Sequence, residues 1–319
     1  MRVWGFIAIV TLTLLGMGYY VLGAVRKANP NPAANLTALN TLPKPALLVV
    51  SQQEGSQRHL QAIARNHRQT AALLCDRLHY RVGVMVCLKN SNFTGVRLSL
   101  FDASFKLLHK RDLVGIFVSR ARVSDDGRYA AATVFVQGHS YADSTFSTYT
   151  TIVEVASGKS LGNLEAWSAT KDGVNIKAAD ANIWGVSFVP QSERFYATYS
   201  TKGQRYLVEG NMVQRSFRVI HPGVECPSLS PDGKRIAFKK AVKPGAWQIA
   251  LLDLATMQES RTAETRFIDD QIEWLDNTRL AYELRLPDSP KVQVWSVAAD
   301  GLGQPERLLL EASSPSGVE

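Results

Sequence analysis

Histidine and cysteine are scarce in this chain, six and three among 319 residues, and no Cys-x-x-Cys or His-x-x-x-His spacing occurs. A compact metal-ligand set is therefore not written into the sequence. Long runs of like charge are missing as well. The formal net charge is +8, yet Lys and Arg are scattered along the chain, which argues against a nucleic-acid-binding face. After the first thirty residues, uninterrupted 3.6-residue periodicity is rare while β-branched and aromatic residues are plentiful, so an all-β body is expected. A serine-hydrolase elbow is also lacking. Gly138-His139-Ser140-Tyr141-Ala142 resembles Gly-x-Ser-x-Gly only until Ala142, and it stands in no strand-to-helix context.

What the chain does have begins with Val3 to Val25, 23 residues without a charge, bracketed by Arg2 and by Arg26-Lys27. That length spans a hydrocarbon core of about 30 Å as a helix, and Trp4, Tyr19 and Tyr20 stand where interfacial rings belong. Residues 1–27 thus read as a membrane anchor or a signal peptide. Cleavage after Ala24 would put Leu22 three residues from the bond, and cleavage after Ala28 would put Arg26 there, so an uncleaved anchor is favoured. Residues 28–70, with Pro30, Pro32, Pro43 and Pro45 near their start, read as a tether and an N-terminal strand region. Leu73 to Tyr80 and Val84 to Leu88 are expected to pair as a hairpin about Arg81, bringing Cys75 and Cys87 nearly opposite each other. In an oxidising compartment the resulting disulfide would contribute up to roughly 3 kcal/mol; the alternative is two buried thiols.

Val224 to Phe238 contains a strand, a Ser230-Pro231-Asp232-Gly233 turn and a second strand. Pro231 fixes φ at the first corner, Ser230 and Asp232 can bond their own backbone, and Gly233 takes the left-handed position. The unit recurs. Ser124-Asp125-Asp126-Gly127 is a close copy, and Gln191-Ser192-Glu193 and Asp276-Asn277-Thr278 are weaker ones; Ser192, Gly233 and Asn277 recur at intervals of 41 and 44 residues. Four-stranded propeller blades repeat at about 40–45 residues. The interval of 65 from Gly127 to Ser192 implies an insertion, placed at Gln137 to Tyr149. The expected fold is an all-β propeller of five to six four-stranded blades over residues 71–312, preceded by the N-terminal helix and followed by a disordered tail, 313–319.

On the Ser-Pro-Asp-Gly-Lys-x-Ile-Ala-Phe stretch at 230–238, with Arg120 to Val136, Glu225 to Lys239 and Asp269 to Asp276, the chain resembles the TolB-like β-propellers, in particular exported ones of actinobacteria. The resemblance runs from about Cys75 to the C-terminus. It implies a periplasmic or envelope interaction module and carries over no catalytic residue. The α/β domain that precedes the propeller in TolB has no counterpart here, so TolB's own partners are not implied.

In a propeller the first strand of each blade lines the channel, and its residues alternate between channel and inter-blade packing. Ala121/Val123, Val186/Phe188, Pro227/Leu229 and Ile272/Trp274 form the apolar set; Arg120/Arg122, Gly185/Ser187, Cys226/Ser228 and Gln271/Glu273 form the polar or small set. One reading is that Arg120, Arg122, Asp270 and Glu273 satisfy each other and hold the blades in register. The other is a funnel for a protein or saccharide partner of the envelope, built from Arg120, Arg122, Asp180, Asn182, Trp184, Glu225, Asp269, Asp270, Gln271 and Glu273. Its carboxylates leave room for calcium, but no cofactor is required. Cys226 lacks a nearby His base and reads as a shielded thiol. The enzyme alternative is a propeller hydrolase or lyase acting on an envelope polymer.

Overall fold

The computed structural model describes residues 44, 46–64, 67–91, 95–136, 147–287 and 289–318. The candidate anchor and most of the Gln137 to Tyr149 insertion lie outside them. Among the described residues, no helix is long and apolar enough to cross a membrane.

Among the described residues, twenty-five strands form six sheets. In chain order they are β1 (Ala46–Ser51), β2 (His59–Ala64), β3 (His67–Leu74), β4 (Arg77–Arg81), β5 (Val84–Ser91), β6 (Gly95–Asp102), β7 (Leu107–Leu113), β8 (Phe117–Val123), β9 (Tyr129–Val136) and β10 (Ser147–Glu154). The middle of the chain adds β11 (Ser168–Lys171), β12 (Val174–Asn175), β13 (Asn182–Phe188), β14 (Arg194–Thr201), β15 (Gln204–Asn211) and β16 (Ser216–Pro222). Last come β17 (Glu225–Leu229), β18 (Arg235–Lys243), β19 (Ala246–Asp253), β20 (Glu259–Arg261), β21 (Glu273–Trp274), β22 (Arg279–Arg285), β23 (Val292–Ala298), β24 (Glu306–Leu310) and β25 (Ala312–Val318).

The sheets are β25-β1-β2-β3, β4-β5-β6-β7, β8-β9-β10, β13-β14-β15-β16-β11-β12, β17-β18-β19-β20 and β21-β22-β23-β24, blades 1 to 6 in that order. The fold is a six-bladed β-propeller. Its ring closes where β25 pairs antiparallel with β1, Ala46 facing Val318 and Ser51 facing Ala312.

That closure corrects two expectations. The propeller starts at Ala46 rather than residue 71, and residues 312–318 are no disordered tail but a buried innermost strand. Ala-Ser-Ser-Pro-Ser-Gly-Val is too polar to be read as core, and the ring gives its hydroxyls partners that the sequence does not reveal. Leu78 and Tyr80 donate their amides to Ser314 Oγ and Ser316 Oγ at 2.9 Å, and both hydroxyls donate back to the carbonyls of the same two residues. Neighbouring inner strands share no ladder, so such side chains satisfy backbone groups that would otherwise be buried unpaired. Val123 N likewise donates to His79 Nδ1, Leu229 N to Ser187 Oγ, and Trp274 Nε1 to the Ser228 carbonyl.

The apolar set of each inner strand enters a separate inter-blade core. Val123 packs between blades 2 and 3, Phe188 between 3 and 4, Leu229 between 4 and 5, and Trp274 between 5 and 6. The alternation expected of channel-lining strands is therefore realised around the ring.

The long interval between Gly127 and Ser192 has a second source besides the expected insertion at Gln137 to Tyr149. Ser147 to Tyr149 belong to β10, and Ser160 to Leu164 supply an isolated bridge and the start of a 3-10 turn, Leu164–Ala166. The chain then leaves three-stranded blade 3 and adds β11 to the outer edge of blade 4, parallel to β16. Trp167 fixes this excursion, buried with its ring 5.5 Å from Phe217 and edge-on to Phe195 at 6.0 Å.

Cys75 and Cys87 form a disulfide with Cα atoms 5.6 Å apart. The hairpin around it differs from expectation: β4 begins only at Arg77, Cys87 faces Leu78, and Cys75 lies in the crossing from blade 1 to blade 2. The bridge thus ties a blade-to-blade connection to β5.

Candidate functional site

Along the axis the polar set meets and closes on itself. Arg122 Nη1 stands 2.6 Å from Glu273 Oε2, and its Nη2 donates to Ser228 Oγ and to the Ile272 carbonyl, both at 3.1 Å. His79 Nδ1 accepts from Val123 N, and its Nε2 lies 2.9 Å from Arg122 Nη1 and 3.2 Å from Glu273 Oε2. Burial lowers His79 to about 4, against Glu273, which would raise it. The imidazole is accordingly neutral at pH 7. Burial would raise the Glu273 carboxyl, but His79, Arg81 and Arg122 hold it far below the usual range.

Asp270 accepts from Arg77 Nη1 at 2.6 Å and from the amides of Gln271 and Glu283, and Gln271 Nε2 donates to the carbonyls of Val186 and Pro227. One glutamine thereby ties blade 6 to blades 4 and 5. Cavities of only about 10 and 20 Å³ remain along this part of the channel. Arg122, Asp270, Gln271 and Glu273 form a plug that fastens the blades together.

Above the plug, where the inner strands enter, a pocket of about 250 Å³ opens. Arg120, Trp184, Glu225 and Asp269, four of the residues named from the sequence, line it together with Arg205, Lys239 and Trp247. Lys239 is buried beside Glu225 by cross-strand register, lies 4.1 Å from the centroid of the Trp247 ring and 2.5 Å from Asp269 Oδ1. Trp247 Nε1 donates to Glu225 Oε1 at 2.7 Å, and Arg205 Nε lies 3.3 Å from the same oxygen. Arg120 reaches Cys226 Sγ through Nε and Asp269 through Nη2, both at 3.4 Å. Burial would raise the Asp269 carboxyl, but Lys239 and Arg120 outweigh it and hold the group below its usual range.

A β-bulge shapes the wall. Cys226 and Gly185 both have positive φ, 49° and 67°, and a Cβ on Gly185 would lie 2.6 Å from the Cys226 Cα. Ser119, another residue lining the pocket, sits beside a further register shift, between Val118 and Arg120.

Two expected members are elsewhere. Asp180 accepts from the Thr201 hydroxyl and the Lys202 amide within blade 4, and Asn182 accepts from the Thr148 amide of blade 3, so both fasten the blade edge and neither lines the pocket. Arg205, Lys239 and Trp247 were not foreseen because they come from second and third strands, β15, β18 and β19. The available signal was the position of Lys239 opposite Glu225 in the hairpin that the Ser-Pro-Asp-Gly turn sets. Among the described residues, no group of three or more His, Cys, Asp or Glu is arranged to hold a metal ion.

No family model matches the sequence, and no curated protein matches it. Solved structures do. TolB from Acinetobacter baumannii superposes with a TM-score of 0.61 at 12% identity, over 86% of this chain and 66% of TolB. The fold is that of a TolB-like β-propeller. A chain of the nidogen/laminin complex gives a TM-score of 0.56 at 10% identity over 86% of this chain and 98% of that one. A puromycin-hydrolyzing peptidase of Mycobacterium tuberculosis gives 0.51 at 14% identity, over 89% of this chain and 54% of the peptidase. The chain thus spans only about two thirds of TolB and about half of the peptidase.

Proposed function

We propose that this propeller is a non-catalytic interaction module that binds a protein partner at the channel mouth. The observation that carries the reading is the contrast between a channel filled by its own ion pairs and a 250 Å³ pocket above it, walled by Trp184, Trp247, Arg120 and Arg205. An apolar rim adjoins it. Phe117 faces Phe135, a pocket residue, across the β8–β9 ladder, and Ile116 and Val114 lead into Phe117; the three are 61%, 50% and 85% exposed. Aromatic and guanidinium groups in a pocket beside exposed apolar side chains are the composition of a protein-docking hot spot. The folds of TolB and of a chain in the nidogen/laminin complex support the same direction.

The setting proposed is the cell envelope, with the propeller outside the cytoplasm and held to the membrane through residues 3–25. The Cys75–Cys87 bridge supports it, since such a bond persists in an oxidising compartment.

Affinity capture from envelope extracts with the full chain and with a Trp247→Ala/Arg205→Ala variant tests the site, run beside a polysaccharide array and a peptide-hydrolysis assay. The expected outcome is a protein that binds the purified chain directly and loses at least about tenfold in affinity in the variant, as removal of a hot-spot pair does. Equal binding by both forms removes the mouth from consideration. Binding of a saccharide alone replaces the protein partner, and turnover sinks the non-catalytic reading.

A further inference from the structure

The pocket at the mouth is lined by three cations, Arg120, Arg205 and Lys239, against two carboxylates, Glu225 and Asp269. Arg120, Lys239 and Asp269 are committed to one another, since Asp269 Oδ1 takes Lys239 Nζ at 2.5 Å and Arg120 Nη2 at 3.4 Å. Glu225 Oε1 is held by Trp247 Nε1. Arg205 is the exception. Its Nε, shielded from solvent and 3.3 Å from Glu225 Oε1, is too poorly aligned to form a hydrogen bond, and among the described residues no bond engages either of its terminal nitrogens. With its side chain 39% exposed, Arg205 thus presents an open two-nitrogen fork in a pocket that carries one positive charge in excess. Such a fork matches a carboxylate through two parallel hydrogen bonds, and a partly enclosed wall strengthens them.

The rims on either side bear on what carries that carboxylate. The exposed apolar residues leading into Phe117 on blade 3 have a counterpart across the pocket in Phe267, 49% exposed and two residues before Asp269. Ile268 N donates to the Trp247 carbonyl at 2.9 Å and holds this stretch against the pocket, while Lys243 Nζ lies 5.0 Å from the centroid of the Phe267 ring. A chain end seated on Arg205 would cover one rim and leave the other in water, whereas a segment passing over the mouth covers both. Asp269 Oδ2, unengaged on a side chain 69% exposed, is an acceptor for a backbone N–H of that segment.

We propose that the mouth binds an internal segment of its protein partner in which a Glu or Asp side chain docks on Arg205, between apolar residues that cover Phe117 and Phe267. The inference rests on the mouth being the binding surface and adds the chemistry of what that surface takes.

The test uses the full-length chain in detergent and a positional-scanning library of hexapeptides, acetylated and amidated so that a side chain supplies the only carboxylate. The expected selection is Glu or Asp at one position with apolar residues on both sides. In the selected peptide, exchanging the acid for its amide should weaken binding by about tenfold, and Arg205→Met should weaken it as much while erasing the difference between acid and amide. Trp247→Ala should weaken both peptides alike. Peptides selected without an acidic residue, yet weakened by Trp247→Ala, keep the mouth as the binding surface and overturn this inference. It is overturned as well by discrimination that survives in Arg205→Met, by binding that appears only in a second library with free C-terminal carboxylates, and by no selection from either library. Binding that neither variant changes removes the mouth itself.

Discussion

Along the axis, Arg122, His79 and Glu273 bring charge and hydrogen bonds together so closely that cavities of about 10 and 20 Å³ remain, whereas at the mouth Arg120, Trp184 and Asp269 border about 250 Å³ of open space. Both regions use polar residues of the same inner strands. The difference lies in what faces them. On the axis the strands converge and each charge meets another across the ring; at the mouth β18 and β19 carry Lys239 and Trp247 outward and the wall opens. A polar residue in a propeller channel is therefore a fastener or part of an open pocket wall according to its height along the strand.

The largest expected effect comes from breaking the plug. Glu273→Ala leaves Arg122 buried without its carboxylate, while Arg81 keeps Asp125, and should lower stability by about 3–5 kcal/mol in denaturant unfolding. A loss under about 1 kcal/mol would mean that the axis holds nothing together. Removing the disulfide by Cys75→Ser/Cys87→Ser should cost about 3 kcal/mol, because the bridge closes a short loop; stability unchanged under oxidising and reducing conditions would contradict that.

Acid should act on the axis next. The folded-state value of His79, about 4, lies below its ordinary 6.5, so its contribution is present above pH 6.5 and is lost as pH falls through about 4. The depressed Glu273 acts in the same sense at lower pH. The upper bound for His79 is about 3 kcal/mol, and His79→Gln should flatten that part of the pH profile.

Glu165, between blades 3 and 4, has the opposite sign. Burial raises it to about 7, against hydrogen bonds from the Thr150 amide and the Thr148 hydroxyl. Its contribution is full below about pH 4.5 and is lost as pH rises through about 7, and Glu165→Gln should remove that slope from unfolding measured between pH 4 and 8.

The smallest effect on stability belongs to the mouth. Arg205→Ala should change it by about 1 kcal/mol or less, since its partnership with Glu225 is partly solvated, while lowering partner affinity. A stability loss as large as that of Glu273→Ala would erase the distinction between the two regions.

Much of this was legible in the chain. The Ser230-Pro231-Asp232-Gly233 turn and its copies set the blade interval, and the alternation of Val123, Phe188, Leu229 and Trp274 with polar neighbours named the packing face. Cys75 and Cys87 were paired correctly although not as facing residues. The closing strand was missed because serine reads as loop until Leu78 and Tyr80 offer it backbone partners. Asp180 and Asn182 were misplaced because nearness in sequence to an inner strand says nothing of the side on which a side chain finds its donors.

By itself the sequence determined the repeat, the two faces of each inner strand and the disulfide pair, because turn chemistry, period-2 alternation and loop closure act over short distances. Only the tertiary structure decided which polar residues satisfy one another, where the channel opens and what seals the ring. Those outcomes depend on contacts between strands up to about 270 residues apart, such as Ala46 with Val318, whose partners become neighbours only once six sheets share one axis.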